Sequence, residues 1–218
     1  MKYKNLLFDL DGLLVDTGDG VFHCVRHALS PYGIEVPDED KALYMGPPLK
    51  YSFVTFAHLP EEYVQEALDR YRALYDEVMI SESRLYEGID KMLAHLKEKG
   101  FYMCVATSKL DRYAEELLAS LGVDRYFDLI GGADADGKLK NKSMVIEDVL
   151  RRSGITDKKD VLMIGDRLYD VEGAKALGID SLGVYMGYAA EGEHEKAGAT
   201  YVAVGVDGME KTLLSFAE

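Results

Sequence analysis

The chain has no tryptophan and only two cysteines and five prolines among 218 residues, and its 25 basic side chains are outnumbered by 39 acidic ones. Each shortage excludes something. Cys24 lies in a helical pattern and Cys104 inside an apolar run; so few and so far apart, they read as reduced core thiols rather than a disulfide framework. A formal charge of −14 argues against sequence-independent binding to nucleic acid or to an anionic membrane surface. No apolar run approaches the ~20 residues that a membrane-spanning helix needs. Met1-Lys2-Tyr3-Lys4 runs straight into a predicted strand, so no cleaved leader is expected, and a soluble cytoplasmic chain is the expectation.

With 48% hydrophobic and 29% charged residues, the composition is that of a globular protein able to bury a sizeable core. From Thr17 to about residue 83 the apolar spacing is helical: Val21, Phe22, Val25, Ala28 and Leu29 share one face, and Tyr63, Ala67, Leu68, Tyr71, Leu74, Tyr75 and Val78 share another. From Tyr86-Glu87-Gly88 onward, helices and strands alternate. Helices are predicted over 89–99, 112–121, 143–152, 171–177 and at the C-terminus, and strands over 101–106, 127–131, 161–164, 181–185 and 201–204. Such alternation predicts an α/β fold, a Rossmann-like parallel sheet covered on both faces. The α-helical block, 18–83, then reads as a cap domain inserted into a core formed by 1–17 and 84–218.

The chemistry starts at Asp9-Leu10-Asp11-Gly12, at the end of the apolar run Leu6-Leu7-Phe8. Residues i and i+2 of an extended chain point to one side, so two carboxylates can reach one substrate. Alone, the motif reads equally well as a turn, since Asp and Gly are common turn formers. A second acidic strand end, Val161-Leu162-Met163-Ile164-Gly165-Asp166, followed by Asp170, favours chemistry, because two acidic strand ends imply a cation. In open parallel sheets, ligands bind outside the carboxyl ends of the strands, where Asp9, Thr107 and Asp166 are all predicted to lie.

Taken in order, Asp9-Leu10-Asp11-Gly12-Leu13-Leu14-Val15-Asp16-Thr17, Thr107-Ser108-Lys109, the lysines of Lys140-Asn141-Lys142 and Gly165-Asp166-Arg167-Leu168-Tyr169-Asp170 resemble the haloacid dehalogenase-like superfamily, in the branch with a helical cap after the first strand. The resemblance implies that Asp9 is a nucleophile forming an aspartyl-phosphate and that Asp11 is the acid and base. It also implies Mg²⁺ on Asp9, the Asp11 main-chain carbonyl and Asp166, with Asp170 as ligand or support. Thr107 and Ser108 would bind phosphoryl oxygens; the alternative for Thr107 is a helix cap, which its position before Asp111 partly supports. Lys142 is preferred over Lys140 and Lys138 as the motif lysine, because it begins the helix Ser143-Met144-Val145-Ile146.

Dehalogenases of the superfamily lack a second aspartate like Asp11, so the resemblance points to phosphoryl transfer. Met45-Gly46-Pro47-Pro48-Leu49-Lys50-Tyr51-Ser52-Phe53 is similar to the cap loop of phosphoglycolate phosphatase-like and 5′-nucleotidase-like members, which makes Gly46 a substrate-loop candidate. The expectation is a Mg²⁺-dependent phosphatase for a small-molecule phosphate ester, phosphoglycolate first and a nucleoside 5′-monophosphate or a promiscuous range second. A phosphomutase or a non-catalytic binding protein ranks lower, and the chain is expected to act as a monomer or homodimer. His23 and His27 read as an exposed polar stripe, Tyr63, Tyr71 and Tyr75 as packing between cap helices, and Glu191-Gly192-Glu193-His194-Glu195 as a solvated loop before a short helix.

Overall fold

A computed structural model describes residues 1–186 and 188–217. In chain order its elements are β1 (Asn5–Phe8), β2 (Val15–Asp16), α1 (Gly18–Leu29), α2 (Leu49–Thr55), α3 (Glu61–Val78), β3 (Arg84–Leu85), α4 (Ile89–Glu98), β4 (Tyr102–Leu110), α5 (Asp111–Ser120), β5 (Leu129–Ala133), α6 (Lys142–Ser153), β6 (Val161–Gly165), α7 (Leu168–Ala176), β7 (Asp180–Tyr185), α8 (Glu193–Ala197), β8 (Tyr201–Val204) and α9 (Gly205–Ser215). Six strands form one parallel sheet in the order β5-β4-β1-β6-β7-β8. β1 is central, and the chain turns back on either side of it, which opens a crevice above its carboxyl end.

Strand alternation divides the interior in two. Leu6, Phe8, Met103, Val105, Leu162 and Ile164 enter one apolar cluster, together with the buried faces of α4, α5, α9 and the cap helices. Leu7, Cys104, Ala106, Val161 and Met163 enter the other, against Val145, Ile146, Val149 and Ala174 of α6 and α7. Both cysteines are buried and unpaired. No helix among the described residues is long and apolar enough to cross a membrane.

Three departures from the predicted elements bear on the site. Strand 101–106 continues to Leu110 as β4, with a register shift against β5 between Ala106 and Leu110. Such an irregularity re-aims side chains, here those of Thr107, Ser108 and Lys109. Strand 127–131 begins instead at Leu129, because Asp124–Tyr126 forms a 3-10 turn and Asp128 turns its carboxylate onto the Met103 amide at 2.9 Å. Lastly, β2 and β3 form a two-stranded antiparallel ribbon, Val15 opposite Leu85 and Asp16 opposite Arg84, where no strand is predicted. Two residues per strand are too few to show periodicity. The long-range pairing of Arg84 with Asp16 at 2.5 Å contributes to the ribbon. Everything between β2 and β3 is helix, 3-10 turn or loop, including a 3-10 segment at Asp38–Tyr44.

Candidate active site

β1 ends at Phe8, and the chain then closes a tight turn in which the Leu13, Leu14 and Val15 amides all donate to the Leu10 carbonyl. Gly12 holds that turn at φ 84°, and a Cβ there would stand 2.3 Å from Asp166 Oδ2. Only glycine fits both the conformation and the close approach. Asp9 is thereby brought to Asp166, which follows β6, and to Asp170 in the first turn of α7. One carboxylate oxygen from each lies within 4.8 Å of the others.

All three carboxylates are almost fully buried, at 6%, 1% and 2% exposed. Asp170 accepts from the Arg167 amide with one oxygen, which caps α7 and starts it three residues before the predicted 171. Gly165 makes room for it, since a Cβ at 165 would lie 2.1 Å from the Asp170 carboxyl carbon. Asn141 caps α6 by accepting from the Met144 amide, and this sets Lys142 at the first helical position. Its ammonium lies 2.8 Å from Asp9 Oδ1 and 2.6 Å from Asp170 Oδ1. The structure thus places Lys142, the lysine preferred over Lys140 and Lys138, against the acidic cluster.

Burial, and then the charge of Asp170, push the Asp9 carboxyl up to about 6 against the pull of Lys142. Burial and the charges of Asp9 and Asp170 raise Asp166 well above the ordinary carboxyl range. Burial opposes the charge on Lys142, but Asp170 and Asp9 outweigh it and its pKa rises. Among the described residues neither oxygen of Asp166 has a hydrogen-bond partner, an arrangement that is costly unless a cation completes it. Three carboxylates and one ammonium leave a formal charge of −2 on an all-oxygen donor set, which suits a small divalent ion such as Mg²⁺.

Asp11 faces away from that cluster. Its Oδ1 accepts from Thr17 Oγ1 at 2.7 Å and lies 3.1 Å from the buried Lys109 ammonium. Thr17 stands at the N-terminus of α1, yet its hydroxyl goes to Asp11 and not to its own helix. Lys109 is held in turn by the Tyr75 hydroxyl and lies over the Tyr75 ring at 4.6 Å. In the sequence Lys109 carries no assigned role and Tyr75 reads as packing. Tyr75 does pack, stacked on Tyr71, but its hydroxyl also reaches the crevice. The signal available was the short step from Thr107 to a lysine at the same strand end.

Asp9, Asp11, Thr107, Ser108 and Lys109 share a cavity of about 320 Å³ with Tyr44, Met45, Gly46, Pro47, Pro48, Leu68, Tyr71 and Tyr75 of the helical cap. Thr107 Oγ1 accepts from the Lys109 amide at 3.2 Å, which fixes the turn. A second cavity of about 230 Å³ is lined by Lys142, Ser108, Asn141 and Glu172, and Gly46 and Pro48 border both. Gly46 has φ 102° and abuts Tyr169 and Arg167, so the loop meets the core there.

Two expectations need correction or refinement. The 191–195 segment is not simply solvated: Glu193 accepts from Arg167 Nε and from the Leu168 amide, both at 2.9 Å, and His194 is fully buried. The acid-rich composition hides an intramolecular ion pair there. Of the three cap tyrosines, Tyr71 and Tyr75 are buried, whereas Tyr63 is 41% exposed. His23 is exposed and pairs with Glu82 at 3.1 Å, and His27 is also exposed, as a polar stripe requires.

The haloacid dehalogenase-like hydrolase profile matches residues 6–184. A 5′-nucleotidase of Pseudomonas aeruginosa is 33% identical over 99% of this chain and 97% of its own length. Tyrosine-protein kinase PtkA of Mycobacterium tuberculosis is 34% identical over 95% of this chain and 72% of its own. The crystal structure of a predicted phosphatase from Clostridium acetobutylicum superposes with a TM-score of 0.94 at 37% identity, covering 99% of this chain and 100% of that one. With a parallel sheet, a helical cap and acidic strand ends in this order, the chain belongs to the haloacid dehalogenase-like hydrolase family, among its phosphoric monoester hydrolases.

Proposed function

We propose that the protein is a Mg²⁺-dependent phosphatase that hydrolyses a small phosphate monoester through an aspartyl-phosphate on Asp9, with 18–83 acting as a cap domain over a core of 1–17 and 84–218. The observation that carries this reading is the placement of Asp9, which joins the buried acidic cluster to the cavity it shares with Asp11 and Thr107. Oδ1 of Asp9 is engaged by the Leu10 amide at 2.7 Å and by Lys142, which orients the carboxylate.

In this mechanism a carboxylate oxygen of Asp9 attacks phosphorus, and the ester P–O bond breaks as Asp11 gives its proton to the leaving oxygen. Asp11 then takes a proton from water, which attacks the phosphorus of the acyl phosphate and releases inorganic phosphate and Asp9. Lys142 balances negative charge on the phosphoryl oxygens, and Thr107 and Ser108 supply hydrogen bonds to them. Thr17 and Lys109 orient Asp11 between the two proton transfers. Mg²⁺, held by Asp9, Asp166 and Asp170 with the main-chain carbonyl of Asp11, would screen the repulsion between two anions.

A nucleoside 5′-monophosphate is favoured over phosphoglycolate by the cavity. At about 320 Å³, walled by Tyr44, Tyr71, Tyr75, Leu68, Met45 and two prolines, it offers the apolar volume of a site for a larger organic group, far more than glycolate fills. The test is phosphate release from nucleoside monophosphates, phosphoglycolate, sugar phosphates and p-nitrophenyl phosphate, with Mg²⁺ and with EDTA. Release that needs Mg²⁺ and falls at least about a thousandfold in Asp9→Asn supports the reading. Undiminished release by that variant overturns the nucleophile, and higher kcat/KM on phosphoglycolate overturns the substrate preference.

A further inference from the structure

Three core side chains donate hydrogen bonds to the cap among the described residues. Two of them, Lys109 and Arg112, reach side chains of α3, at Tyr75 and Asp76. The third, Arg167, grips main chain: its Nη1 donates to the carbonyls of Ala42 at 2.8 Å and Met45 at 2.5 Å. A grip on carbonyls fixes the backbone itself, whatever rotamers the cap side chains adopt. Those carbonyls flank the end of the 3-10 turn that leads directly into Gly46-Pro47-Pro48, one wall of the cavity.

The guanidinium is built into its position. Its side chain is only 10% exposed, and Nε donates to Glu193 Oε1, whose side chain is equally buried. Glu193 is fixed by the Leu168 amide and by the Ala190 amide at 3.1 Å. Burial pushes the Glu193 carboxyl up, but Arg167 and the two amides prevail and hold it below the usual range. Gly46 lets the loop approach: a Cβ there would be 3.2 Å from Tyr169 and 3.3 Å from the Arg167 stem.

We propose that Arg167 is a specificity-determining positioning residue: it docks the cap's substrate loop, through the carbonyls of Ala42 and Met45, onto the strand end that carries Asp166, with Glu193 as its counter-ion. The inference rests on the phosphatase reading for its kinetic consequence but not for its structural one. Because Arg167 is the residue next to Asp166, the wall that meets the leaving group and the carboxylate cluster are held in one fixed register. α3 holds the opposite wall through Lys109. A leaving group that fills the cavity requires both walls, whereas a small phosphoryl compound requires only the core.

The test compares wild type, Arg167→Met and Arg167→Lys as full chains with Mg²⁺, by hydrogen–deuterium exchange and steady-state kinetics. Loss of two charge-assisted hydrogen bonds predicts exchange over 38–50 about ten- to a hundredfold faster in Arg167→Met, with β1 and β6 unchanged. KM for a nucleoside 5′-monophosphate rises about tenfold, kcat and the Mg²⁺ activation constant change less than about threefold, and KM for acetyl phosphate stays close to wild type. Arg167→Lys, which keeps a donor, falls between. Unchanged exchange over 38–50 overturns the docking role, and a shifted Mg²⁺ constant with equal losses on both substrates assigns Arg167 to support of Asp166 instead. If Arg167→Met does not fold, Arg167→Lys decides by the same criteria. If wild type releases no phosphate from any ester, the phosphatase reading fails and the exchange result alone decides the tether.

Discussion

Asp166→Asn is expected to stabilise the metal-free protein while abolishing Mg²⁺-dependent turnover. Asp166 is 1% exposed, lacks hydrogen-bond partners among the described residues and has two carboxylates whose oxygens lie within 4.8 Å. At an effective dielectric near 20, one like-charge pair at that distance repels by about 3.5 kcal/mol. Protonation limits the penalty, since at pH 7 taking up a proton from an ordinary carboxyl pKa costs about 4 kcal/mol. The buried amide of asparagine returns about 1–2 kcal/mol of this as an imperfectly paired polar group. The net gain is then about 1–3 kcal/mol, or about 3–10 °C in Tm for a chain of this size. Thermal unfolding in EDTA and in saturating Mg²⁺ measures both halves. In EDTA the variant melts higher; with Mg²⁺ the wild type rises, by about 2.7 kcal/mol at a hundred times Kd, and the variant does not. A variant that melts below wild type in EDTA, or a wild type indifferent to Mg²⁺, would refute the reasoning that a cation completes the cluster.

The same charges predict a pH dependence. Burial and the charge of Asp170 raise Asp9 to about 6, so between an unfolded carboxyl pKa near 4 and 6 the folded chain binds more protons. Stability of the metal-free protein therefore falls as pH rises through that window, and the Mg²⁺-induced shift in Tm is larger at pH 7.5 than at pH 5. Lys142→Met leaves Asp9 and Asp170 without their cation and costs about 3–5 kcal/mol in denaturant unfolding without metal; turnover is lost as well. Gly12→Ala forces a left-handed residue and a contact at 2.3 Å from Asp166 Oδ2, for a loss of at least about 2 kcal/mol and weakened Mg²⁺ binding by calorimetry.

The parallel sheet and the converging carboxylates were legible because both are written in local pattern: apolar runs that end in Asp or Thr, separated by helical periods. Lys142 could be chosen over its neighbours because its place at the helix start was visible. What stayed hidden depends on contacts distant along the chain. The β2–β3 ribbon joins Val15 to Leu85, and no window contains both. Glu193 reads as solvated because its partner is Arg167, and Arg167 carries no role in the sequence because its acceptors, Glu193 and carbonyls of the cap, lie far along the chain. Tyr75 showed its helical face but not the Lys109 ammonium it faces. The bulge that aims Thr107 is likewise a matter of register between β4 and β5.

The ribbon also bears on how such a chain can change. Val15–Asp16 and Arg84–Leu85 run antiparallel and side by side, so the strand that leaves the core and the strand that re-enters it form the stem of a hairpin. A two-residue turn would bridge that stem. The ladder β5-β4-β1-β6-β7-β8 needs nothing from 17–83 to form its hydrogen bonds. The helical block can thus be lengthened or exchanged at this stem without re-threading the sheet, while Asp9, Asp166 and Asp170 keep the places that the strand ends and α7 give them.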